Sequence, residues 1–66
     1  MIEYHVVPNG DRWDVERDDA ATGSFAYNVH TAIGLAIAAA QRDQNSGIDV
    51  MVCVQEKSGH CRQVRP

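Results

Sequence analysis

His5 and Asp14 lie in two short segments, Ile2 to Val7 and Arg12 to Arg17, that alternate polar with apolar residues. If the segments pair as a hairpin, the two side chains become cross-strand neighbours. An imidazole held by a carboxylate is the orienting half of a catalytic dyad or triad. Nothing in the pattern supplies the nucleophile, because Ser24, Ser46 and Ser58 fall in loop-like stretches without a nucleophile-elbow motif. The pair therefore reads as a solvated contact on an open sheet face, and the chain as non-enzymatic.

Cys53, His60 and Cys61 could hold a soft metal. Successive strand residues point to opposite faces, so His60 and Cys61 cannot easily close on one ion. The chain has 2 cysteines, too few and too widely spaced for a disulfide framework or a four-ligand zinc site. No metal or cofactor is expected. The turn before Cys61 decides where its thiol goes, and two geometries are open. A two-residue Ser58-Gly59 turn puts Cys61 on the face of Val52 and Val54, whereas a three-residue Lys57-Ser58-Gly59 loop puts it diagonal to Cys53, near the limit of disulfide reach. Met1 to Val7 carries Glu3 and has neither a basic start nor a long apolar run, so no export signal is read there. The expectation is a cytoplasmic protein with reduced thiols.

Tyr4, Trp13, Phe25 and Tyr27 could stack on bases, with Arg12, Arg17, Arg62 and Arg65 supplying positive charge. The 6 Lys and Arg are scattered and outnumbered by 9 Asp and Glu, for a net charge of −3. Backbone-driven binding needs a dense positive surface that releases counterions. The balance counts against nucleic acid, leaving a weak nucleic-acid-binding domain as the alternative and core packing as the simpler use of the rings. The longest apolar run, Ala32 to Ala40, is far short of the ~20 residues that a membrane span requires.

The elements that must position these residues follow from periodicity. Ile2 to Val7 is rich in β-branched and aromatic residues and ends at the turn signal Pro8-Asn9-Gly10, before the alternation Arg12 to Arg17. A two-residue Asn9-Gly10 turn pairs Val6 with Trp13 and Tyr4 with Val15, leaving Glu3, His5, Asp14 and Glu16 on the other face. A three-residue loop ending in Gly10 instead moves His5 and Val7 opposite Trp13; apolar pairing favours the first. Asp18 to Gly23 reads as a polar loop. Asn28 is the N-cap of a helix reaching Gln44, with Val29, Ala32, Ile33, Ala36, Ile37 and Ala40 forming its core stripe and Asn45-Ser46-Gly47 closing it. Ile48 to Val54 alternates as a strand, and His60 to Arg65 returns as a polar edge strand.

These elements predict one α+β domain over residues 1–66: a two-layer ββαββ unit whose four-stranded, mainly antiparallel sheet carries the helix on one face. At 66 residues burial barely outweighs chain entropy, so a partner is expected on size alone. The helix offers one. Gly34, Leu35, Ala38 and Ala39 fall outside the core stripe, where an exposed helix normally carries charge. They are the candidate partner-binding residues for a homodimer or another protein, unless alanine serves only helix propensity.

His5-Val6-Val7-Pro8, the Gly10 turn and Trp13-x-Val15-x-Arg17 resemble the start of a family of short bacterial proteins known as domain of unknown function 2188. The likeness continues through Phe25, the alanine-rich helix around Ala32-Ile33 and the Ser58-Gly59 turn. It implies a compact, mostly cytoplasmic domain and brings no activity, cofactor or catalytic residue with it. The chain departs from the family pattern at Gly34, Leu35, Ala38 and Ala39, where the family helix usually carries charge, and in a last hairpin that is less basic.

Overall fold

The computed structural model describes residues 1–65; Pro66, the last residue of the expected domain, lies outside the described residues. The elements run β1 (Ile2–Asn9), β2 (Arg12–Arg17), β3 (Ala20–Ala26), α1 (Val29–Asn45), β4 (Val50–Gln55) and β5 (Cys61–Val64). They form one sheet in the order β3-β2-β1-β4-β5, with α1 packed on one face. The α+β architecture with a single covering helix is as expected. The sheet corrects the expectation in strand number, five in place of four; it is mainly antiparallel as expected, with β1 and β4 as its parallel pair.

The additional strand is β3, drawn from residues read as loop. Asp18 and Asp19 take φ values of 49° and 67°, both left-handed, as a two-residue type I′ hairpin requires. Arg17 then pairs with Ala20. β3 is a poor strand by composition and departs from regular pairing between Asp14 and Glu16 of β2. There the Thr22 hydroxyl donates to the Val15 carbonyl at 2.8 Å, a side-chain bond where the ladder is irregular.

The first turn also differs from the expected one. Its corner residues are Gly10 and Asp11, so that Asn9 pairs with Arg12, Val6 with Val15, Tyr4 with Arg17 and Pro8 with Trp13. Gly10 at the first corner has φ 65°, the sign this position of a II′ turn demands. The shift is two residues along the partner strand, so every side chain keeps its expected face. Pro8 falls beyond the last pair of β1 with β4, Val6 with Val54, so its missing N–H interrupts no bond of that ladder.

The helix runs to Asn45, one residue past the expected end, and the Asn28 side chain accepts from the N–H groups of His30 and Thr31. It lays Ala32, Ala36 and Ala40 on the sheet, all fully buried, against Tyr4, Val6, Val15, Val52 and Val54. Three alanines let the helix approach closely. The larger Ile33 and Val29 pack at the margins of this core, as does Trp13, which stands on the helix side of β2 opposite Pro8 and Ala26.

With so little apolar volume in the centre, the marginal residues matter to stability. Trp13→Ala should cost about 3 kcal/mol, the low end for burying a large ring, because Trp13 is half-buried. Urea titration checks this. An unchanged midpoint would place the indole outside the core.

Candidate functional site

Of the four helix residues singled out from the sequence, Gly34, Leu35 and Ala38 are exposed, whereas Ala39 is half-buried and packs against the core, which corrects its expected place outside the core stripe. Leu35, Ala38 and Ala39 line one wall of a groove of about 340 Å³ between α1 and the β2–β3 side of the sheet. Val15, Thr22 and Ser24 face them, and Arg17 and Arg42 also border the groove. Gly34 is not among the lining residues. A Cβ built on it meets nothing within 4 Å, so this part of the helix surface is open.

The groove also takes in a polar tether between helix and sheet. The Tyr4 hydroxyl, on β1, donates to Asp43 Oδ2 in the last turns of α1 at 2.5 Å. Arg17 Nε donates to both, at 3.2 Å to the phenol oxygen and 3.2 Å to the carboxylate. The hydrogen bond from Tyr4, followed by that from Arg17, holds the Asp43 carboxyl below the ordinary carboxylate range. Burial, followed by the bond to Asp43, pushes the Tyr4 phenol upward. The sequence reading missed this tether, since Tyr4 and Asp43 are 39 residues apart. A signal was available: Asp43 continues the spacing Ala32, Ala36, Ala40 by one further turn, and an acid on a core stripe needs a partner.

On the opposite face the sheet collects a different set. His5 pairs with Cys53 across the parallel β1–β4 ladder. Cys61 pairs with Gln55, placing it diagonal to Cys53. The three-residue Lys57-Ser58-Gly59 loop is the one adopted: Glu56 N–H donates to the His60 carbonyl at 2.7 Å, and Gly59 has φ 90°. The Cα atoms of Cys53 and Cys61 are 5.9 Å apart and their sulfurs are joined in a disulfide, which corrects the expectation of two separate reduced thiols. Ligand atoms of His5, Cys53 and Cys61 all lie within 4.8 Å of one another. The histidine beside the thiols is therefore His5, on a distant strand, and not His60, the neighbour in sequence.

The dyad considered from the sequence is not assembled. His5 lies opposite Glu16, with its Nε2 3.2 Å from Glu3 Oε1. Asp14 lies opposite Val7 and accepts from Asn9 Nδ2 at 2.8 Å. Three of the four candidate arginines are tied to acids: Arg12 to Asp14 at 2.9 Å, Arg17 to Asp43, and Arg62 to Glu56 at 3.6 Å. Tyr4 is buried. Phe25 and Tyr27 are exposed and meet edge to face at 5.8 Å, with the Arg12 guanidinium 4.5 Å above the Phe25 ring. No described helix is long and apolar enough to cross a membrane.

No family model, curated protein or solved structure matches the chain.

The tether generates a pH dependence. Because Asp43 is depressed when folded, its contribution is complete above the unfolded carboxylate value of ~3.9 and is lost as pH falls through the lower folded value. Asp43→Asn should lower the melting temperature at neutral pH, with the wild-type advantage closing through the acid range below ~3.9. Parallel melting curves for the two proteins across that range would contradict the assignment.

Proposed function

We propose that the chain is a non-enzymatic interaction module that associates with a second copy of itself through the outer surface of α1, using Gly34, Leu35, Ala38 and Ala39. The observation that carries this reading is the absence of Asp, Glu, Lys and Arg from Val29 to Gln41, along a helix whose Gly34, Leu35 and Ala38 are open to solvent. A helix covering one face of a sheet ordinarily turns charges outward. Leu35 is 40% exposed and lines the α1–β2–β3 groove, where the proposed second copy would cover it. Gly34 and Ala38, one turn apart, let two backbones approach.

A second copy suits the surface because the four helix residues are small or apolar and carry no charge, and a two-fold interface sets such a patch against its own copy. The size of the core favours it too. The fully buried side chains with the largest volumes are valines and Cys53, so a domain of this length gains from burying more apolar area. Strand addition is a poorer route, since β3 is bulged and β5 spans 4 residues, both devices that blunt an edge. Cytoplasmic residence belongs to the same reading, with Cys53–Cys61 as a bond that the compartment's reductants open. The resemblance of the first hairpin to domain of unknown function 2188 is part of it and sets no activity against it.

Light scattering over a concentration series tests the reading. Wild type should approach twice the 7.3 kDa chain mass, and Leu35→Glu should remain at the single-chain mass with an unchanged circular dichroism spectrum, because the charge repeats across the axis. Gly34→Ala separates helix propensity from contact: it should stabilise the isolated chain by up to about 1 kcal/mol while weakening association. Wild type at the single-chain mass up to millimolar concentration refutes the proposal.

A further inference from the structure

We infer that His5, Cys53 and Cys61 form a three-ligand site for a thiophilic divalent cation, Zn²⁺, whenever the Cys53–Cys61 disulfide is reduced, so that one cluster alternates between a disulfide and a metal centre. The residues come from three adjacent strands of the open face, β1, β4 and β5, and their ligand atoms lie within 4.8 Å of one another. Tetrahedral zinc, bonded at about 2.3 Å to sulfur and 2.0 to 2.1 Å to nitrogen, spaces such ligands by roughly 3.5 to 3.8 Å. Side-chain rotation suffices to meet that spacing, because the backbone register already places the three residues together.

The surroundings match the donor set. Two thiolates and an imidazole make a borderline-soft site that hard cations do not fill. Cys53 is 2% exposed and His5 is partly covered, while Cys61 opens to solvent at the sheet edge. Three protein ligands therefore leave a fourth position for water. Glu3 Oε1 stands 3.2 Å from His5 Nε2; in the tautomer whose Nε2–H donates to that carboxylate, Nδ1 is the nitrogen with the free lone pair. A carboxylate behind a ligating histidine fixes its tautomer and raises its basicity. His60 is outside this cluster.

The two states interconvert with balanced chemistry. A phosphine or a dithiol delivers two electrons to the S–S bond: with the phosphine, one water supplies the oxygen of the phosphine oxide and the two thiol protons, and with the dithiol, its own two protons pass to the new thiols as it closes to a disulfide. Binding of Zn²⁺ then releases both thiol protons, and an imidazole nitrogen of His5 completes the protein ligands. In the reverse direction a small disulfide accepts two electrons from the metal-bound thiolates, leaving as two thiolates while Cys53–Cys61 re-forms and Zn²⁺ is freed.

Anaerobic Co²⁺ titration of the full chain reduced with a phosphine tests the site. One equivalent should give a thiolate-to-cobalt charge-transfer band and tetrahedral d–d bands, both erased by Zn²⁺, whereas the oxidised chain gives neither. Glu3→Gln should weaken Zn²⁺ by about 10- to 100-fold and His5→Ala by more, with His60→Ala unchanged. Cys61→Ser, at an exposed edge position that leaves the core untouched, should abolish the charge-transfer signal and keep the circular dichroism spectrum. A reduced wild type without the charge-transfer band overturns the proposal, as does a folded His5→Ala chain that binds like wild type.

Discussion

Alternation along β1 divides the molecule into its two working surfaces. Successive side chains of a strand leave on opposite faces, so placing Tyr4 and Val6 in the core obliges Glu3, His5 and Val7 to stand on the far side. β1 is the central strand, paired with β2 on one edge and β4 on the other, and both neighbours inherit its division. Val15, Val52 and Val54 follow Tyr4 and Val6 under the helix, while Glu16 and Cys53 follow His5. A slip of one residue would bury His5 and expose Tyr4, breaking the helix tether and the thiol–imidazole cluster together.

The core built on that division is thin. Alanine against valine brings the helix close to the sheet but contributes little apolar volume per residue, and among the described residues no leucine, isoleucine or phenylalanine is buried. Directional contacts carry more weight in such a case. Tyr4, Arg17 and Asp43 fasten the C-terminal end of α1 to β1 and β2, and at the other end Asn28 caps the first turn of the helix. The disulfide ties β5 to β4 at the far edge of the sheet. The larger aliphatic side chains that a bigger domain would spend on its centre lie at the margins and on the outer surface of the helix, which is how a small core and an uncharged outer surface come from one choice of residues.

Much of this was readable in the residues. The alanine and isoleucine spacing located α1 and its cap, and the Ile2 to Val7 and Arg12 to Arg17 alternations gave the correct faces even though the pairing is displaced. That displacement was invisible because Asn9-Gly10 and Gly10-Asp11 are both good turn pairs and both keep apolar residues opposite one another. β3 was hidden by composition: Ala20-Ala21-Thr22-Gly23-Ser24 has few strand-forming residues, and an Asp-Asp corner lacks the glycine that usually announces a type I′ turn. The parallel pairing of β1 with β4 is a long-range choice with no local mark, and the approach of His5 to Cys53 follows from it alone. For the helix surface, the sequence supplied the residues Gly34, Leu35, Ala38 and Ala39, and only the sheet beneath could supply the groove wall that faces three of them.

The parallel β1–β4 pair also sets an order of events during synthesis. The ribosome makes β1, β2 and β3 in succession, and these can assemble as a meander through two short turns. The other edge of β1 must wait for α1 and β4, which emerge later and close a much longer loop. Until then the strand that will lie at the centre of the sheet is an edge, with the unpaired N–H and C=O groups that invite pairing with other chains. The nascent chain is thus most prone to wrong association in the interval between β3 and β4, while the second edge of β1 waits for its partner.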